Sequence, residues 1–144
     1  MAVRDIPFRP DFSHDELMNW LDRFFRKKKQ YELGRGIAAK PTTSEVVMYL
    51  PMCRVVVFEP TLYPSRGKAS VAATAQTDFD IQKNGSSFGT MRFAAAGTVA
   101  SFISANGATF DIGDIISVIA PASVDATLSG IGFILAGTHY EQTT

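Results

Sequence analysis

The stretch Asp78-Phe79-Asp80-Ile81-Gln82-Lys83-Asn84-Gly85-Ser86-Ser87-Phe88-Gly89-Thr90-Met91-Arg92-Phe93 decides the fold. Its first five residues alternate polar and apolar, which sends Phe79 and Ile81 to one side of a strand and both aspartates to the other. Asn84-Gly85 follows, the pair best suited to a tight hairpin turn because both residues tolerate positive φ. Alternation resumes through Met91-Arg92-Phe93, so the chain returns as an antiparallel partner. A sheet with one apolar face needs a second layer to cover it.

Outward from this hairpin the chain continues in short runs. Residues 46–50 and 54–59 read as strands halted by Pro51 and Pro60, while residues 61–68, holding Pro64 and Gly67, read as a loop. Residues 70–75 form a weak, small-residue strand. Residues 99–104, 109–112, 115–119 and 128–137 are further strands, with Asn106-Gly107 offering a second tight turn and Gly113-Asp114 and Pro121 as punctuation. In the last of them Ile131, Phe133 and Leu135 share a face. Short strands with such frequent turn signals predict a mainly β chain, an antiparallel β-sandwich that is jelly-roll-like or Ig-like. The small residues Ala72, Ala73, Ala94, Ala95, Ala96 and Gly97 suit close sheet packing or a subunit interface, and equally a tolerant loop.

Composition bounds the rest. The chain has 144 residues, 46% hydrophobic and 19% charged, enough for one core with an appendage and too apolar for wholesale disorder. It holds no run of apolar residues long enough to span a membrane, and Met1 to Asp5 lack the apolar segment of a secretory signal. The single Cys53 leaves no cysteine-based zinc cage. The 14 cations and 14 anions cancel in total. Divided at residue 40, however, the first part holds nine cations and six anions (+3) and the remainder five and eight (−3).

Residues 1–40 therefore read as an N-terminal arm, and residues 41–144 as the sandwich domain. Pro7 and Pro10 keep the first dozen residues extended. Ser13-His14-Asp15-Glu16 is a capping box, with acidic residues at the positive end of the helix dipole. Apolar residues at Leu17, Trp20, Leu21, Phe24, Phe25 and Tyr31 then fall on one face, and Gly34 and Gly36 supply a stop. A helix is predicted over about residues 14–33. Its apolar stripe either packs on the chain's own sheet or anchors the protein in another subunit. In the second case Leu17, Trp20, Leu21, Phe24 and Phe25 are the buried anchors, and Arg26, Lys27, Lys28 and Lys29 form the cationic end. The acidic first turn fits a lipid surface poorly, and four clustered cations are a weak signal for nucleic acid.

Catalytic candidates are few. His14 sits in the capping box, His139 beyond the last predicted strand, and neither lies in a metal-binding spacing. Cys53, between two predicted strands, reads as a buried structural thiol. Asp78 and Asp80 share one side of a strand, where paired carboxylates could serve a metal or a sugar but are also ordinary on a solvent face. Asp114 and Asp125 read as turn residues. Gly34-Arg35-Gly36 and Gly130-Ile131-Gly132 lack the features of phosphate loops. Tyr49, Tyr63 and Tyr140 imply no shared sugar platform. No cofactor, metal or catalytic residue is expected.

The body resembles a β-sandwich module of structural proteins in tailed bacteriophages and prophages. The resemblance begins near Gly36-Ile37-Ala38-Ala39-Lys40-Pro41, where Ala39 replaces a glycine of the family pattern. It runs through Phe79-Asp80-Ile81-Gln82-Lys83-Asn84-Gly85-Ser86-Ser87-Phe88-Gly89-Thr90 and Phe110-Asp111-Ile112-Gly113-Asp114. It ends with Ala120-Pro121-Ala122, Asp125-Ala126-Thr127-Leu128 and Gly137-Thr138. What it implies is a non-enzymatic virion component of a tail tip, baseplate or fibre attachment, assembled in the host cytoplasm with other virion proteins and with copies of itself. A capsid decoration protein, a head fibre, or a receptor- or glycan-binding module are the alternatives. Residues 1–35 lie outside the resemblance.

Overall fold

A computed structural model describes residues 13–25 and 28–141, the side chains of Asn19 and residues 22–25 excepted. One short helix, α1 (His14–Phe25), precedes ten strands: β1 (Lys28–Ile37), β2 (Val46–Pro51), β3 (Val56–Phe58), β4 (Arg66–Val71), β5 (Thr77–Lys83), β6 (Ser86–Phe93), β7 (Ala100–Ile103), β8 (Ala108–Phe110), β9 (Ile115–Ile119) and β10 (Ser129–Tyr140). They form two antiparallel sheets packed face to face, a β-sandwich. Sheet A runs β1-β10-β3-β8, with β4 also paired to β10, and sheet B runs β2-β9-β5-β6-β7.

The deciding hairpin forms as its residues dictate. Asn84 and Gly85 hold φ of 49° and 85°, and β5 pairs with β6 from Thr77↔Phe93 to Lys83↔Ser86. Phe79, Ile81, Met91 and Phe93 are buried, with Asp78, Asp80 and Arg92 on the opposite face. Ile116 and Val118 of β9 join them from sheet B, and Ala69, Ile131, Phe133 and Leu135 face them from sheet A. Between the layers Phe110 meets Phe58 and Phe88 with ring centroids 5.4 and 5.5 Å apart, edge to face. Such pairs add about 0.5–1.5 kcal/mol each beyond the area they bury.

Four expectations are corrected. The helix stops at Phe25, and Lys28–Ile37 is a strand in register with β10 over its whole length, from Lys28↔Tyr140 to Ile37↔Ile131. Tyr31, Leu33 and Ile37 alternate toward the core, so their period is two, and Gly34 and Gly36 lie inside the strand instead of stopping a helix. Sheet A thus takes in residues that the sequence places in the arm. Next, β4 begins at Arg66, within the expected loop, and ends at Val71. Gly67 belongs in that strand because a Cβ there would stand 2.8 Å from the Cβ of Ala100 in the facing sheet. Third, His139 lies within β10, not beyond it. Finally, Asn106-Gly107 carries the chain from β7 in sheet B to β8 in sheet A, a crossing between layers.

Candidate docking helix and its surroundings

The helix starts where its capping box places it. Glu16 N–H donates to Ser13 Oγ at 3.2 Å, and Ser13 N–H donates to Glu16 Oε2 at 3.1 Å. This reciprocal cap stabilises the first turn by about 0.5–2 kcal/mol without help from the sandwich. Leu17, Trp20 and Leu21 are half-buried, and Met18 is 51% exposed. None of the four belongs to the apolar core that holds the two sheets together. Phe24 and Phe25 end the helix, and their side chains lie outside the described residues, as do Arg26 and Lys27. Among the described residues no helix is long and apolar enough to cross a membrane.

The expected cationic helix end is divided. Lys28 and Lys29 belong to β1 and serve the sheet: Lys28 Nζ lies 3.0 Å from Glu59 Oε1, and Lys29 Nζ 2.7 Å from Glu141 Oε1. Both pairs are half exposed and hold little energy, about 0–1 kcal/mol each. With the boundary at residue 27 the charge asymmetry vanishes. Residues 1–27 hold five cations and five anions, and residues 28–144 nine of each. The +3 and −3 halves followed from cutting inside a chain segment that belongs to the sheet.

The candidate carboxylates are engaged in the architecture. Asp78 accepts two bonds from Arg92, at 2.8 and 2.7 Å, and that guanidinium holds its carboxyl below the usual range. Asp80 accepts from Ser87 Oγ and from Gln82 Nε2. Asp114 accepts from Asn84 Nδ2 at 2.9 Å and from Asp111 N–H at 2.8 Å, with Lys83 Nζ at 3.2 Å, and its pKa falls to about 2. Asp125 is a clamp between loops. One oxygen accepts from Thr74 Oγ1 and from the N–H groups of Thr74 and Ala75, and the other from those of Thr127 and Leu128. Those bonds, the Thr74 hydroxyl first, keep it far below the ordinary carboxylate range. Among the described residues no group of three or more His, Cys, Asp or Glu is placed to hold a metal ion. Tyr49, Tyr63 and Tyr140 are exposed on β2, on the loop before β4, and at the end of β10.

A cluster that sequence reasoning missed sits at the edge of sheet A. Cys53 is exposed, not a buried structural thiol, and its Sγ lies 3.8 Å from Tyr31 Oη. Arg54 stands over the Tyr31 ring and approaches His139 Nε2 at 3.5 Å, while His139 meets Tyr31 edge-on. Hydrogen bonding to Arg54, then to Tyr31, pulls the thiol below its ordinary pKa, and burial together with Cys53 raises that of Tyr31. The only signal in the sequence was Cys53 beside Arg54. Tyr31 and His139 join them because β1 and β10 pair, a contact between residues more than a hundred positions apart. Compared with known proteins, the chain matches no family model, no curated protein and no solved structure.

Proposed function

We propose that the protein is a non-enzymatic structural component of a bacteriophage particle, a tail, baseplate or fibre-attachment part assembled in the host cytoplasm. The sandwich is the scaffold, and α1 docks into another virion protein. The observation that carries this reading is a helix capped by its own residues whose Leu17, Trp20 and Leu21 remain outside the core of the sandwich. An apolar stripe of that kind is the usual contact surface of helix-in-groove attachment. The resemblance to phage modules supports it too, and its polar residues fasten loops in this chain. Asn84 and Asp114 join two turns, and Asp125 joins two more segments. A capsid decoration or head-fibre role would use the same two parts at another place on the particle.

The test introduces Leu17→Asp and Leu21→Asp into the full chain and measures its incorporation into purified particles. Each variant should keep the β-sheet circular dichroism and thermal midpoint of the parent while failing to join particles. Normal incorporation of both variants would overturn the anchor role. A parent protein absent from particles would overturn the virion assignment itself.

A further inference from the structure

The outer face of sheet A carries an exposed apolar trough flanked by charged side chains. β1, β10 and β4 lie side by side there, and pairing puts Glu32, Gly34 and Gly36 on the same face as Ile134, Gly132 and the covered Ala136, and as Arg66 and Lys68. The opposite face of β10 is the core row Ile131, Phe133 and Leu135. On the outer face Ile134 is 43% exposed and Val99, bridged to Lys68, is 66% exposed. Gly36 and Gly132 pair directly, and nothing stands within 4 Å of where either Cβ would be. The result is a trough of about 530 Å³ with bare backbone as its floor and Ile134, Val99, Arg66 and Lys68 around it.

Arg66 turns back onto the Pro64 and Ser65 carbonyls and over the Tyr63 ring, which leaves Glu32 and Lys68 as the outward charges, arranged about a point. Glu32 lies one strand to one side of β10, level with Ala136, and Lys68 lies one strand to the other side, level with Gly132. Ile134 is therefore the midpoint of the line between them. Glu32 accepts from Gln30 Nε2 at 2.7 Å and faces no cation in an ion pair, and Lys68 has no ion-pair partner among the described residues. A two-fold axis in the plane of contact, passing over Ile134 and perpendicular to that line, exchanges the two charges. Each Glu32 then meets the Lys68 of the other copy, and Ile134 meets Ile134.

We propose that this face binds the same face of a second copy in that isologous arrangement. The inference rests on the proposed function for the reason to assemble, and on the register of sheet A for its geometry. A two-fold contact repeats every interaction, so a single carboxylate and a single ammonium give two ion pairs flanking an apolar centre. The centre supplies affinity, and the flanking charges fix orientation and exclude other registers. The missing Cβ atoms at Gly34, Gly36 and Gly132 let the facing Ile134 approach the backbone. The axis runs obliquely across the strands, so the two sheets cross steeply, one of the two ways in which sheets pack.

Sedimentation velocity on the full chain over a concentration series tests this. The parent should be a dimer, and Ile134→Asp a monomer. Glu32→Lys and Lys68→Glu should each weaken dimerisation by about tenfold or more, and the double exchange Glu32→Lys/Lys68→Glu should recover most of that loss. All three positions are exposed, and unchanged circular dichroism excludes misfolding. A double exchange as weak as the single ones, or a dimeric Ile134→Asp, would overturn the inference. A monomeric parent that still joins particles sinks this interface alone. A dimer that never joins particles sinks the proposed function alone.

Discussion

Asn84 Nδ2 donates to Asp114 Oδ1 at 2.9 Å, and Asn84 Oδ1 accepts the Ile115 N–H at 2.7 Å. The residue that turns the β5–β6 hairpin thus also fastens it to the turn before β9. Two motif fragments thirty residues apart in sequence form one mechanical unit, and sheet B is held at that end by a side chain as well as by its ladder.

Separating these two duties takes two substitutions. Asn84→Gly keeps the positive φ and removes both side-chain bonds, and should cost about 1–3 kcal/mol in urea unfolding. Asn84→Ala loses the same bonds and lacks asparagine's tolerance of φ 49°, costing about 1 kcal/mol more than the glycine variant. A neutral Asn84→Gly would mean that the turn alone, and not the bridge, accounts for the asparagine.

Acid should loosen the same region. The folded pKa of Asp114 is about 2 against an ordinary 3.8, and a lowered folded value means that the unfolded chain takes up the proton first as pH falls. The stabilisation is therefore complete above pH 3.8 and is lost as pH descends toward 2. Asp125 and Asp78 are shifted in the same direction and add to the loss. The thermal midpoint of the parent should drop through this window. Asp114→Asn should start lower at pH 6 and fall less steeply, and an equal slope would remove Asp114 from the account.

Removal of the first 25 residues should leave the thermal midpoint of the sandwich within a few degrees of the parent. Removal of the first 35 should not, because it takes away most of β1 and strips β10 of a partner it holds from Ile131 to Tyr140. Differential scanning calorimetry distinguishes the two. Equal midpoints would mean that β1 contributes nothing to the sheet it completes.

Cys53 should react with a disulfide reagent such as Ellman's in the native protein, with a pH midpoint below that of a free cysteine. Arg54→Ala should move the midpoint upward, since Arg54 is the first cause of the depression. A native thiol that reacts only after unfolding would contradict the exposed position of this side chain.

The sandwich was legible wherever the pattern was local. The β5–β6 hairpin and the core row of β10 follow from alternation and from Asn84-Gly85, and the helix start follows from Ser13 and Glu16. What escaped depends on distant partners. Tyr31 fits a helical spacing after Phe24 as well as a period of two with Leu33, and only pairing with β10 decides between them. The helix itself was readable through Leu21, whereas Lys28 and Lys29 were misplaced for the same reason. Gly67 resembled loop punctuation, although its role is to let β4 approach β7. The surface around Ile134 was invisible because its geometry exists only once three strands lie in register.

β10 pairs with β1 along one edge and, along the other, with β4 and then β3. Sheet B can begin as a local hairpin, but sheet A has no middle until residues 129–140 are available. During synthesis β3 can pair with β8, but β1 and β4 must wait for β10. Their apolar residues stay open to chaperones until then, so the second layer closes only after residues 129–140 have been made.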